Sequence, residues 1–282
     1  MALSYSVPTP LEYFASLVQV PQGGAIALLE SAACIAQDEY PRLDVQQFLD
    51  EMDRLQARLQ RRIAQDAEPL LRLNLLNQFF FGELGFAGNL NDYYAPGNSY
   101  LHVVLEKRRG IPISLAVLWL ELAQGVGLRA HGVAFPGHFL VKVLMPTGQV
   151  VMDPMTGLSL SREALGERLE PFRRGHGPLE DEAPLGLYLQ AATERDILAR
   201  MLRNLKEIHR ARQDWSRLVA VQDRLIVLLP DAWSEWRDRG LAYAESGASL
   251  QALENLETYL AHAAGAEDAP AIAQRVKELR RF

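Results

Sequence analysis

The run GIPISLAVLWLELAQGVG, residues 110–127, constrains this chain more than any other stretch. Pro112 suits a first helical position, where its missing N–H would have had no partner, and Gly125 and Gly127 end the apolar run that follows. Ile113, Leu115, Ala116, Val117, Leu118, Trp119, Leu120 and Leu122 surround such a helix with carbon, so it belongs in a core and not at a surface. Ser114 then falls in its first turn, where free backbone N–H groups and the positive end of the helix dipole favour a developing negative charge.

Two β-rich runs follow, His138 to Leu144 and Val150 to Asp153, around Pro146, Thr147 and Gly148, and they read as a hairpin. A turn made of Thr147 and Gly148 alone sets Lys142 opposite Asp153 and leaves His138 roughly 13 Å away at the usual strand rise. A loop enlarged to cover Leu144 to Thr147 sets His138 directly opposite Asp153. Both registers keep the two side chains on one sheet face, because side chains alternate with period two. Ser114, His138 and Asp153 thus form an order that nucleophilic chemistry can use, given a specific turn.

A helix-opening nucleophile candidate, a glycine-bounded apolar strand, a His followed by apolar residues and an Asp-Pro fifteen residues later together resemble the transglutaminase-like, papain-related core. The resemblance implies Ser114 at the nucleophile position, His138 as base and Asp153 as the residue that orients it. GFAGNLNDYYAPGNSYLHVVLEKRRGIPISL and VAFPGHFLV are similar to the bacterial SirB family, whose members join such a core to tetratricopeptide (TPR) repeats. The likeness is close over residues 80–160 and looser elsewhere. Ser114 stands where active transglutaminases carry Cys; in the SirB-type pattern Ser or Thr is the usual occupant.

Upstream, helices are expected over Leu11–Gln19, Ala25–Gln37, Val45–Gln65 and Pro69–Phe81. In the third, Phe48, Met52, Leu55, Leu59 and Ile63 recur at helical spacing, and Arg54, Arg58, Arg61 and Arg62 form a solvated face. GELGFAGNLNDYYAPG, rich in Gly and Asn/Asp, reads as a long irregular loop of the kind that often carries function. Tyr93 and Tyr94 are candidates to line a cleft, and Asn89 and Asn98 to donate to a carbonyl oxygen. The simpler account makes Asn98 or Ser99 the N-cap of the following helix and the tyrosines a cover for the core. His131 and His138 lie seven apart across a strand and a turn, which fixes no common face for a metal, and no cofactor motif is present.

After Gly157 comes a short helix capped by Ser161, then EPFRRGHGPLEDEAPLG, a charged, Pro- and Gly-rich boundary in which His176 is a solvated residue. Beyond it Trp236, Gly240, Tyr243, Gly247, Ala252 and Leu256 fall at positions of one TPR unit, with Pro230 ending a preceding one and Ala271–Leu279 as a terminal cover. Trp215, Trp233 and Trp236 are read as packing between repeat helices. The expected fold class is α+β: a mostly helical transglutaminase-like core with a small antiparallel sheet, followed by an all-α repeat unit. The ranges are 1–165 for the core with its helical N-terminal part, 166–189 for a linker and 190–282 for the repeats.

A net charge of −6 argues against a nucleic-acid surface, and no segment offers the ~18 uncharged apolar residues of a membrane span. Cys34, the single cysteine, allows neither an intrachain disulfide nor a cysteine zinc site, and a reducing cytosol fits best. Two functions follow. One is a serine hydrolase or acyl transferase using Ser114, His138 and Asp153. The other, favoured because a serine hydroxyl is a far weaker acid than the thiol of a papain-like site, is a non-catalytic core that with its repeats binds a protein or peptide. The second predicts that the most apolar exposed patch lies on the repeats or the Tyr93 loop.

Overall fold

The structure, a computed structural model, describes residues 7–20, 24–173 and 184–281. The chain divides into two compact units, one of residues 28–33 and 44–197, the other of residues 1–27, 34–43 and 198–282. Helix α1 is Pro10–Val18, opened by a capping box in which Thr9 and Glu12 satisfy each other's backbone N–H. Helix α2 is Leu28–Cys34, shorter than the run of small apolar residues suggests, and residues 35–39 continue as turns. Helix α3, Val45–Gln60, is capped by Asp44, and α4, Pro69–Asn77, passes into a π-helical turn at Gln78–Glu83.

In the unit of residues 44–197, α3 and α4 pack with α5, Leu101–Lys107, around α6, Pro112–Gly125. The core position expected of α6 is observed: Trp119, Leu115, Leu118 and Leu122 are fully buried. Arg72 ties the surrounding connections together by donating to the carbonyls of Gln65, Ala67 and Val126. Short strands β1, Ala87–Gly88, and β2, Arg109–Gly110, pair in parallel just ahead of α6.

The sheet β3 (Ala130–Val133), β4 (Leu140–Met145) and β5 (Gly148–Met152) is antiparallel in that order. Its hairpin register pairs Val141 with Met152 and Met145 with Gly148. The turn is therefore Pro146–Thr147, and the register falls between the two that the sequence allows. It also shortens the first strand: β4 begins at Leu140, because Gly137 takes a left-handed φ of 67° and turns the chain at His138. Val133, Leu140 and Val151 share one sheet face with Phe135 beneath α7, Arg162–Arg173, through Leu165 and Leu169. Met152 points to the other face, where Asn77 donates to its sulfur and accepts from Trp119 of α6.

Ser161 caps α7 as expected, accepting from the Ala164 amide. That helix extends past residue 165, so the first part of the 166–189 segment is ordered against the sheet rather than extended as a linker. Leu189, after α8 (Leu185–Tyr188), is buried in the same cluster, and its carbonyl accepts from Lys142. His176 and the rest of 174–183 lie outside the described residues.

The other unit takes in most of α9 (Glu194–Ala211), packs α10 (Trp215–Leu228) on α11 (Trp233–Glu245) and α11 on α12 (Ser249–His262), and ends in α13 (Ala269–Leu279). The small-residue signature has a steric cause. A Cβ on Gly240 would approach Leu256 to 2.7 Å, so only glycine lets α11 and α12 come so close. Buried Lys206 is held by Glu235 and Asp238 at 2.5 Å each. Trp233 stacks on His262 with ring centroids 3.8 Å apart.

Helix α1 belongs to this unit, not to the core range 1–165 in which the sequence places it. Phe14 is fully buried against α10, and the Arg224 guanidinium lies 5.7 Å over its ring while pairing with Asp38. A contact spanning two hundred residues leaves no local trace in the sequence.

Candidate functional site

Ser114 occupies the third position of α6, as Pro112 dictates, and is fully buried. Its hydroxyl lies 2.6 Å from the carbonyl oxygen of Asn98, to which it donates, and 3.0 Å from that of Ile111, and it accepts from the Ile111 amide at 3.1 Å. The backbone packs tightly above it: a Cβ on Gly110 would stand 2.7 Å from Ser114 Oγ. The hydroxyl is thus spent on the joint between β2, α6 and the segment at Asn98. Its hydrogen bonds do not include one to His138.

His138 and Asp153 do meet. Nε2 of His138 lies 3.0 Å from Oδ1 of Asp153, although the intermediate register places Asp153 one step beyond the Val141–Met152 pair and two residues from His138. The left-handed Gly137 turns the imidazole toward the end of β5 and closes that offset. Asp153 is nearly buried and has two further partners: the Met155 amide at Oδ1, 3.0 Å, and Nη1 of Arg168 at Oδ2, 3.0 Å. Burial alone, the largest influence, would raise its pKa. The His138 bond, the Met155 amide and Arg168 together outweigh it and hold the carboxyl at about 2. The carboxylate is therefore ionised at any physiological pH and can orient the imidazole, whose ring is partly open to solvent.

Arg168 is the residue that sequence reasoning missed. Its signal was present, since it lies three residues after Leu165 and one before Leu169, beside the face that α7 buries on the sheet.

The other candidates lie together on one turn. Asn98 is buried in a 3₁₀ turn, Pro96–Ser99, and donates from Nδ2 to the carbonyls of Asp92, 2.6 Å, and Tyr93, 3.1 Å. Its Oδ1 accepts from Asn89 Nδ2 at 3.0 Å, and Asn89 Oδ1 accepts from the Asp92 amide. Both asparagines thus serve the loop itself, and the N-cap of α5 is Tyr100, neither Asn98 nor Ser99. Tyr93 and Tyr94 do not cover the core: they are 39% and 73% exposed, edge to face at 5.3 Å, beside Leu90 at 79%. Among the described residues no group of three or more His, Cys, Asp or Glu is placed to hold a metal ion, and no helix is long and apolar enough to cross a membrane.

The family comparison agrees with this geometry. The description "Transglutaminase-like superfamily" matches residues 46–203, which take in α6, the sheet and α7. The chain belongs to the transglutaminase-like superfamily. A tetratricopeptide repeat description matches residues 205–277 directly after this transglutaminase-like part. A UPF0162 protein of Xylella fastidiosa is 39% identical over 236 residues, 83% of each chain. One of Pseudomonas aeruginosa is 30% identical over 256 residues, 90% of this chain and 91% of the relative. Mouse F-box only protein 21 is 29% identical over 167 residues, 56% of this chain but 26% of that protein. No solved structure matches.

Proposed function

We propose that this is a SirB-type partner-binding protein whose transglutaminase-like core does not catalyse transglutamination or hydrolysis. The observation that carries the reading is the state of Ser114: fully buried, with its hydroxyl donating to the Asn98 carbonyl. A serine nucleophile needs a base within hydrogen-bond reach and room for a reacting carbonyl, and neither accompanies Ser114. The repeat unit supplies the other half of the argument, because stacked helical hairpins present the extended surfaces on which such repeats bind peptides. Binding of a protein or peptide at those repeats would then be the working activity, with no cofactor or metal.

One observation favours a second reading, a hydrolase or acyl transferase built on Ser114, His138 and Asp153. The His138–Asp153 pair has the geometry and the ionised carboxylate of a base with its orienting residue. That reading requires the Ser114 hydroxyl to leave Asn98 and Ile111 and turn toward the imidazole. The two are separated by assaying p-nitrophenyl esters and glutamine-containing peptides with the wild type, Ser114→Ala and His138→Ala. The binding reading expects all three to match the uncatalysed rate. Turnover by the wild type that both substitutions abolish would establish the second reading and overturn the first.

A further inference from the structure

Leu90, Asp92, Tyr93 and Tyr94 are exposed together on one short turn. Exposed aromatic pairs beside an aliphatic side chain are uncommon where nothing is bound, because they leave apolar surface in water. This turn is also built to keep its shape. Asn98 takes up the carbonyls of Asp92 and Tyr93, Asn89 braces Asn98, and the Ser114 hydroxyl donates to the Asn98 carbonyl from below. The residue at the nucleophile position of the family is thereby connected through Asn98 to the exposed turn.

The chemistry of the turn selects its occupant. The carboxylate of Asp92 has no cationic partner among the described residues. In the chain it lies between Leu90 and Tyr93–Tyr94, exposed like them, and the faces of tyrosine rings attract cations. The chain as a whole carries a net charge of −6, which draws basic partners toward it. We propose that the Leu90–Tyr94 turn is a docking surface for an arginine- or lysine-bearing segment of a partner protein, held in shape by Ser114 acting through Asn98. The inference rests on the partner-binding reading and adds to it a surface and the partner's charge. Ser114 is here a positioning residue: it touches no partner and acts only on the backbone beneath the turn.

The probe is a capped heptapeptide of alternating arginine and leucine, with its glutamate counterpart as control, titrated into the full chain and followed by the ring resonances of Tyr93 and Tyr94. The arginine peptide is expected to shift both rings and the glutamate peptide neither. Tyr94→Ala and Asp92→Asn, both at exposed positions that leave the core intact, should each weaken binding by about fivefold or more. Ser114→Ala should weaken it as well, and should speed chymotryptic cleavage after Tyr93 and Tyr94 while other sites keep their rates. Equal responses to the two peptides, or binding that survives Tyr94→Ala unchanged, would overturn the proposal. So would self-association of the wild type abolished by Tyr94→Ala, which would make the turn a contact between copies of this chain. Peptide failure without ester turnover would remove this surface alone. Ester turnover dependent on Ser114 would remove the binding reading whatever the peptides do.

Discussion

Ser114 and the His138–Asp153 pair, which the family resemblance sets together, are held in different ways in this protein. The His138–Asp153 half keeps the arrangement of a working site: an imidazole partly open to solvent, and a carboxylate with three donors that holds its charge. The Ser114 half has become a joint. Its hydroxyl is sealed and bonded to backbone, and Gly110 packs on it closely enough that a methyl group would not fit without movement. On the proposed reading, the order of the three residues is kept while the hydroxyl serves the backbone. A hydroxyl at a helix N-terminus serves as readily as a partner for backbone groups as it does for a nucleophile, and what decides is the carbonyl that faces it.

The sharpest way to break this comparison is to remove the carboxylate. Asp153→Ala leaves His138 and Arg168 without their common partner and empties a nearly buried polar site; because both partners are partly open to solvent, a loss of about 2–3 kcal/mol is expected in urea unfolding of the full chain. A loss below about 1 kcal/mol would show that the pair is an ornament of the surface.

Acid should expose the same half. Folding lowers the Asp153 carboxyl from 3.8 to about 2, so folding favours the ionised form. Its contribution is complete above 3.8 and fades as pH falls through about 2, a span worth about 2 kcal/mol. Urea midpoints between pH 5 and pH 2 should therefore fall more steeply for the wild type than for Asp153→Asn. Parallel slopes would contradict the pairing.

Ser114→Ala deprives the Asn98 carbonyl and the Ile111 amide of a buried partner and should cost about 1–2 kcal/mol. A stabilised Ser114→Ala variant would instead indicate a strained, functional hydroxyl, since active sites commonly trade stability for reactivity. The smallest effect is expected from His138→Ala, about 1 kcal/mol or less, because Met155 and Arg168 still satisfy Asp153 and the ring is partly in water already.

Much of this molecule can be read from its residues, and the failures share a cause. Pro112, the apolar run and the closing glycines are local signals, and α6 with Ser114 in its first turn follows from them. Gly240 and Gly247 mark the α11–α12 hairpin in the same way. The hairpin register is different. It depends on whether Thr147–Gly148, the observed Pro146–Thr147 or a longer loop from Leu144 makes the turn, and all three preserve the alternation, so the pattern of side chains does not decide. Long-range facts are less legible still. Nothing near Phe14 announces that Arg224 will lie over its ring, and nothing near Ser114 announces that Asn98 will present its carbonyl rather than its amide. The asparagines' partners are equally illegible: they close on the loop's own backbone, and the tyrosine rings are left exposed.

The central claim is that the Ser114 hydroxyl is a structural donor and not a nucleophile, and covalent labelling reads it most directly. The folded full chain is incubated with several serine-reactive phosphonates from pH 6 to pH 9, and the adducts are located by mass spectrometry. The account predicts no modification of Ser114 at any pH. Stoichiometric labelling of Ser114 that His138→Ala abolishes would contradict it and restore the two halves to a single catalytic site.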